Sequence, residues 1–446
     1  MNSKRISLAV ISTRREKSLS NIMKKPTHNL ITGLDIGTHF VRMAVGQIHE
    51  TGNGQVELQL LGAAEVVSEG VNKGVVSSIE DVVSSVSACL ERAERMVGVP
   101  IDRVWVGVSD PNIITQANKG VIVVSKANNE ITEEDAARAI ETARSIATPL
   151  NYEVLHVLPR GFAVDGQLGI KDPVGMTGIR LEVDTNIILG STAQIKNLTK
   201  AIYRTGLEID DLVLSILASA EAVLTARQKD LGVAVVNLGG STTSMVVFEE
   251  GDILRIVTIP IGSEHITNDI AIGLRTSVDI AEKVKLEYGD CVVDGISKTE
   301  TIDLFNLGSA EHEMIKKRYV SEIIEARVEE IMKKIDNELI KIQRSGLLPA
   351  GVVFTGAGSK LSGITEIAKK YLRLPASLGY SLNFASVTEK VNDIGFSTAI
   401  GLVRWGSNMA GSVRSGGRGE GRMMAGIKKA GAVQGMLRGW LKTLIP

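Results

Sequence analysis

Cysteine is scarce: Cys89 and Cys291 are the only two in 446 residues, far apart and outside any CxxC spacing. That excludes a disulfide framework and a zinc knuckle, and makes a reducing cytoplasm the simple reading. Nowhere does the chain offer the roughly 18 consecutive apolar residues that a bilayer-spanning helix needs. Formal net charge is −1, so the whole molecule is no electrostatic nucleic-acid binder, and an anionic partner would have to meet a local patch. His28, His39, His49, His156, His265 and His312 show no HExxH or other metal spacing, and neither GxSxG nor a Ser-His-Asp order is present. What remains is an ordinary globular composition, 44% hydrophobic and 23% charged, in a length that suits roughly two to four domains. Residues 1–28 are basic, with an apolar stretch too short and broken for a signal-peptide core. They read as a disordered extension, with Met23 as an alternative start.

An internal repeat is the most informative feature. LDIGTHFVRMAV (34–45) aligns without a gap on VNLGGSTTSMVV (236–247), an offset of 202 positions. In each copy an alternating strand ends at a small glycine-containing turn and a second strand follows, the pattern of a β-hairpin. A third glycine turn, TGAGS (355–359), closes a strand at 351–354 and precedes a periodic segment at 361–372. Strand, tight turn and helix start in that order present free backbone N–H groups.

Residues 113–192 have a different texture and read as an inserted strand-helix-strand-strand module: strand 120–125, helix 132–147 opened by a Thr132/Asp135 capping box, then strands 152–165 and 179–191. Helices at 193–205 and 218–228 flank a strand at 212–216. The segment 259–336 is mostly helical by periodicity, with one helix at 277–288 and a long one from near Glu311. A closing helix is expected at 392–405, followed by a Gly/Ser/Arg-rich linker. The domain plan is therefore a first lobe at 29–112, 193–230 and 380–405, the module at 113–192, and a second lobe at 231–258 and 334–379. A helical subdomain at 259–333, a linker at 406–426 and a terminal helix at 427–446 complete it.

In the paired turns, glycines let backbone approach an anion closely, and a strand-end carboxylate such as Asp35 can hold magnesium through its water shell. Two such hairpins related by a pseudo-twofold are what a nucleotide clamp between lobes requires. At the other end of the chain, Val433, Met436, Leu437, Trp440, Leu441, Leu444 and Ile445 share one helical face, bordered by Arg438 and Lys442. From Arg404 to Pro446 there are eight basic residues and one acid, the composition of a helix lying flat in anionic lipid headgroups. Lys316, Lys317, Arg318 and Arg327 form a further basic cluster, whose default reading is a solvated helix face.

Taken together, the hairpins, the TGAGS turn and the inserted module resemble the superfamily of actin, sugar kinases and ATP-dependent chaperones, and within it the FtsA family of bacterial cell-division proteins. The resemblance implies an α/β, actin-like, two-lobed fold of duplicated ribonuclease-H-like domains with the inserted subdomain and a C-terminal amphipathic helix. It further implies that Asp35, Gly37, Thr38 and His39, with Gly239, Gly240, Ser241 and Thr242, grip the phosphates of ATP with magnesium. Glu282 and Lys285 in AEKVKLEYG, with Gly356, Gly358 and Ser359, would hold the adenosine. Implied partners are the C-terminal peptide of the tubulin-like FtsZ at Lys316, Lys317, Arg318 and Arg327, other copies of the chain in a filament, other divisome proteins, and anionic lipid at the cytoplasmic side of the septal membrane; nucleic acid is not among them. Asn237, Ser241 and Ser244 stand where many superfamily members carry Asp, Gly and Asp, so turnover of ATP should be slow or absent. Two alternatives stay open: a pilus-assembly protein of the same fold, and a small-molecule kinase.

Overall fold

The structure, a computed structural model, describes residues 30–50, 56–125, 128–145, 148–382 and 384–415. The expected N-terminal extension and the tail helix carrying Val433 to Ile445 lie outside the described residues.

The chain opens with β1 (Leu30–Ile36), β2 (Phe40–Glu50) and β3 (Val56–Val67), then a small hairpin of β4 (Val71–Asn72) and β5 (Val75–Val76). Helix α1 (Ile79–Val97) follows, started by Ser78, whose hydroxyl accepts the Asp81 N–H, and stopped by Gly98 in the left-handed region. After β6 (Arg103–Val108) come the module elements β7 (Ile114–Val123), α2 (Glu133–Arg144), β8 (Tyr152–Val164), β9 (Gln167–Ile170) and β10 (Arg180–Ser191). Helix α3 (Thr192–Arg204), β11 (Glu208–Leu214), α4 (Ser215–Val223) and α5 (Ala226–Leu231) lead into the second half. That half runs β12 (Val233–Leu238), β13 (Thr243–Glu249), β14 (Asp252–Ile259), α6 (Ser263–Leu274), α7 (Val278–Tyr288), β15 (Thr301–Asp303), β16 (Met314–Lys316) and α8 (Lys317–Lys341). It ends with β17 (Val352–Thr355), α9 (Ile364–Leu372), β18 (Ala376–Leu378), β19 (Ala385–Ser386) and α10 (Ser397–Ser415).

The two main sheets repeat one another. The first has the order β11-β6-β1-β2-β3-β19 and the second β18-β17-β12-β13-β14 when read in the same sense. Each starts from an antiparallel hairpin whose first strand also pairs in parallel with a later one, β1 with β6 and β12 with β17. The last pairs of the two hairpins, Ile36 with Val41 and Leu238 with Thr243, are separated by the sequence offset of 202. The inserted module is a separate antiparallel sheet, β7-β10-β8-β9. Helix α2 lies on it at Gly120, where a Cβ would come within 2.0 Å of the Ala139 carbonyl oxygen. Thr132 begins this helix, its N–H donating to the Asp135 carboxylate as the capping pattern requires.

The lobes have separate cores, Leu34, Met43, Val86 and Val106 in the first and Val236, Ile270, Ile331 and Phe354 in the second. A third cluster, including Ile188, Leu214, Val223, Val235 and Phe248, joins module and lobes. Helices α4 and α10 cross so closely that a Cβ on Gly401 would sit 1.8 Å from the Ala218 carbonyl oxygen. The module is fastened to the rim of the second sheet by the Lys171–Asp252 ion pair at 2.7 Å and by the Asn186 amide donating to the Ile253 carbonyl at 2.9 Å.

Several elements differ from expectation. The closing helix runs on to Ser415 instead of ending at Trp405, taking up the first ten residues of the stretch read as linker. Packing overrides its glycines: at Gly406 a side chain would collide with Trp105, whose Nε1 lies 2.6 Å from the Cβ position. The long helix starts at Lys317, not near Glu311, because Met314–Lys316 pairs with Thr301–Asp303. Strand β11 ends at Leu214 and α4 begins at Ser215, so the expected strand 212–216 and helix 218–228 shift toward the N-terminus and the helix divides in two.

Candidate functional site

The duplicated turns are built alike. Gly37 N–H donates to the Phe40 carbonyl at 3.0 Å, and Gly239 N–H donates to the Thr242 carbonyl at 2.9 Å. The intervening N–H groups of Thr38, His39, Gly240, Ser241 and Thr242 donate to no described residue. Five amides left free in two facing turns are the kind of donor set from which an anion-binding nest can be built. The turns meet across the cleft between the lobes: a Cβ on Gly240 would be 2.9 Å from the His39 ring. Glu264, in the first turn of α6, joins them, accepting the Ser241 hydroxyl at 2.6 Å and lying 3.7 Å from His39 Nε2. Its own N–H is fixed to the Gly240 carbonyl. The β4–β5 hairpin borders the same place, with the Gly74 Cβ position 3.8 Å from Thr242.

Asp35 is the penultimate residue of β1, beneath the first turn. Its carboxyl makes no hydrogen bond to a described residue, and loss of solvation pushes its pKa up to about 6 against the opposing pull of Arg42. Arg42 itself is bonded to Glu65 at 2.5 Å and lies over the Phe40 and Phe396 rings, so it does not neutralise Asp35 by direct contact.

The third turn abuts the second. Gly356 has φ 84°, and a Cβ there would be 2.4 Å from Asn237 Oδ1; only glycine fits. At Gly358 a Cβ would be 2.7 Å from Leu238 and 3.0 Å from Ser263. Ser359 is turned inward, its hydroxyl donating to the Thr355 carbonyl at 2.6 Å. One helix away, Lys285 is buried with its ammonium 2.6 Å from Glu282, 2.8 Å from the Thr267 hydroxyl and 3.5 Å from the Ser263 carbonyl. Burial pushes Glu282 upward, but hydrogen bonds from Lys285 and Thr267, with the charges of Lys285 and His39, outweigh it and leave the carboxyl below its usual range. The Glu282–Lys285 pair and the third turn thus share Ser263 as a neighbour.

Two departures from the superfamily pattern have structural employment. The Asn237 amide donates to Ser219 at 3.2 Å and Thr398 at 3.3 Å, a hydroxyl pair 2.9 Å apart where α4 meets α10. Ser244 pairs with Thr258 at 3.3 Å across β13 and β14. Of the basic cluster, Lys317 pairs with Glu300, Arg318 with Glu322, and Arg327 with both Asp269 and Glu330. Lys316 makes no ion pair among the described residues, and the positive patch read from sequence is largely neutralised. Sequence reasoning missed Glu264, whose only local signal is the glycine two positions earlier: a Cβ on Gly262 would strike the Gly240 carbonyl oxygen at 2.3 Å.

Known proteins resemble this chain in sequence and in fold. Residues 234–401 match the family model for cell division protein FtsA, and residues 111–189 match the model for the SHS2 domain inserted in FtsA. Among solved structures, a PilM-PilN type IV pilus biogenesis complex aligns with TM-score 0.60 at 16% identity over 84% of this chain and 98% of that one. MreB5 of Spiroplasma citri bound to ADP aligns with TM-score 0.52 at 13% identity over 86% and 98%. These likenesses establish the fold: actin-like, two-lobed α/β, with an inserted SHS2 module. In sequence, cell division protein FtsA of Bacillus subtilis is 36% identical over 85% of this chain and 83% of its own length. That of Pseudomonas aeruginosa is 34% identical over 84% and 89%. Likeness of this extent, spread over both lobes and the module, means that the chain belongs to the FtsA family of cell division proteins.

Proposed function

We propose that the chain is an ATP-binding, polymerising division protein that ties the FtsZ ring to the cytoplasmic face of the membrane. The observation that carries the nucleotide reading is the pair of matched turns facing one another with five uncommitted backbone N–H groups; the ADP in the MreB5 structure supports it. Thr38, His39, Gly240, Ser241 and Thr242 would hold phosphate oxygens, Asp35 the magnesium through water, and Glu282, Lys285, Gly356 and Gly358 the adenosine. Magnesium, when bound, would supply positive charge beside the phosphates. Asn237 offers an amide already bonded to Ser219 and Thr398, and Ser244 no carboxylate, so neither acts as a base and turnover is slow or absent. The same point disfavours a small-molecule kinase, which needs an acid there to deprotonate its substrate.

Membrane attachment rests on the sequence of the tail, whose single apolar face and cations suit anionic headgroups. Many weak tails on one polymer bind by avidity. The helical subdomain around α8 is the candidate seat for the FtsZ peptide, with Lys316 the member of the basic cluster that no described acid occupies. The test is co-sedimentation with anionic vesicles, with and without ATP and FtsZ, comparing the full chain with one ending at Ser415. The full chain should pellet, more so with ATP, and carry FtsZ with it. Equal pelleting of the shortened chain would overturn the membrane reading, and failure to retain ATP on a desalting column would overturn the nucleotide reading.

A further inference from the structure

The β4–β5 hairpin is spread across both duplicated turns. Its lead-in is tied to the first, since the Ser68 N–H, just past β3, donates to the His39 carbonyl at 2.9 Å. Its base is closed by the Gly70 carbonyl, which accepts the Ser77 and Ser78 N–H groups at 2.8 and 3.1 Å. Its tip reaches the second turn in the other lobe, where the Cβ position of Gly74 lies 3.8 Å from Thr242 Cγ2. Val71 pairs with Val76 and Asn72 with Val75, so Lys73 and Gly74 alone make the loop. Both have positive φ, 50° and 77°, as in the type I′ turn, which favours Asn, Asp or Gly at its first central position and Gly at its second. Gly74 meets that demand freely, whereas Lys73 is held in a region that a Cβ disfavours, and strain kept at a site points to a use for the side chain. Lys73 is exposed and has no ion pair or hydrogen bond to a described residue. The cations on or beside the site's other elements are already engaged, Lys285 with Glu282, Lys360 with Asp393 and Arg42 with Glu65. A cavity of about 30 Å³ lies under the hairpin, between Val71, Gly74 and Val76 on one side and Asp110 and Gln194 on the other, so the tip is anchored at its base without being packed solid.

We propose that Lys73 is a binding residue for the terminal phosphate of the nucleotide, carried to it by the hairpin tip, and that it sets the preference for a triphosphate over a diphosphate. The inference rests on the nucleotide reading above and deepens it. Magnesium cancels only part of the charge of a triphosphate, and Glu264 adds a carboxylate beside the second turn. An ammonium on a flexible four-carbon stem, one residue from the contact with Thr242, supplies the missing counter-charge as a point donor to phosphate oxygen. Removal of the terminal phosphate would leave that ammonium without its partner, and the hairpin would then touch the second lobe through Gly74 alone.

The experiment measures the affinity of the full chain for ATP and for ADP, each with magnesium, by titration calorimetry. Lys73→Asn should weaken ATP binding by about 10- to 100-fold, the worth of one charge-assisted hydrogen bond, and ADP binding by less than about 3-fold. Its thermal midpoint without nucleotide should equal or exceed that of wild type, because asparagine suits the first turn position better than lysine does. A lysine that served only to hold the hairpin would give the reverse, a lower midpoint with affinity unchanged. Lys73→Arg keeps the charge and should keep most of the preference for ATP. Wild-type ATP affinity in Lys73→Asn, or equal losses for ATP and ADP, would overturn the inference while the nucleotide reading stands. A wild-type chain that binds neither nucleotide overturns the nucleotide reading and this inference with it.

Discussion

Asp35 and His156 make stability depend on pH in opposite senses. The folded-state pKa of Asp35 is raised from 3.8 to about 6, so the folded protein binds the proton more tightly than the unfolded chain. No penalty exists below pH 3.8, and as pH rises to about 6 the wild type loses stability of order 3 kcal/mol. Asp35→Asn should therefore be more stable than wild type in urea melts above pH 6 without nucleotide, the advantage vanishing near pH 4. His156 is buried and held near pKa 4 by loss of solvation, and its Nε2 accepts the Leu214 N–H at 2.9 Å. A depressed histidine contributes stability above pH 6.5 that fades as pH falls toward 4. His156→Leu should cost about 1–3 kcal/mol at pH 7.5, the penalty of an orphaned amide, and flatten the acid limb of the profile. Because the two windows overlap, the two contributions partly cancel in the wild type, and each single variant is needed to see its own part. At this scale the sequence was legible where residues repeat: Asp35, Gly37, Gly239 and Gly240 stood out because each copy supported the other. Glu264 was not, since its place in the site arises from contacts with residues far away in sequence, Ser241 and His39.

Among the elements, α4 and α10 are the pair through which the two halves bear on one another. Any side chain at Gly401 must displace the backbone of Ala218, and backbone in a packed helix does not yield cheaply. Gly401→Ala should cost about 1–3 kcal/mol or more by overpacking, read as a lower midpoint in thermal unfolding, and should loosen the Asn237, Ser219 and Thr398 contacts beside it. Helix α6 offers a different test. Glu264 places a carboxylate against Ser241 and His39, where the proposed phosphates would bring more negative charge. Glu264→Gln should raise ATP affinity by roughly 2- to 10-fold, about the worth of one screened like-charge contact, in a fluorescent-nucleotide titration; a weakened complex would mean that the carboxylate assists binding. The hairpins and the capped module helix were legible because their periodicity and turn chemistry are local. The length of α10 was not: its glycines read as linker, and only Trp105 and Ala218 explain why small residues continue the helix. Nor were β15 and β16, whose three-residue strands carry too little alternation to register.

For the whole molecule, the duplicated two-lobed plan could be read from the 202-residue offset, while the way the lobes sit together could not, because it is set by the α4–α10 crossing and the module's contacts with β14. The helix boundary at Ser415 changes how the tail should be tested. A chain ending at Trp405 loses ten residues of α10, which packs along β1, β2 and β6, and should unfold at lower temperature; one ending at Ser415 should melt as wild type and lose only vesicle binding. A calorimetric scan of both separates lost anchoring from damaged folding. The module grows out of the first half yet is bolted to the far rim of the second, and its single imidazole, on His156, holds the Leu214 amide at the end of β11. Any contact that pried the module from the cleft would strip the Leu214 amide of its imidazole acceptor, and deuterium exchange at that one proton would report it.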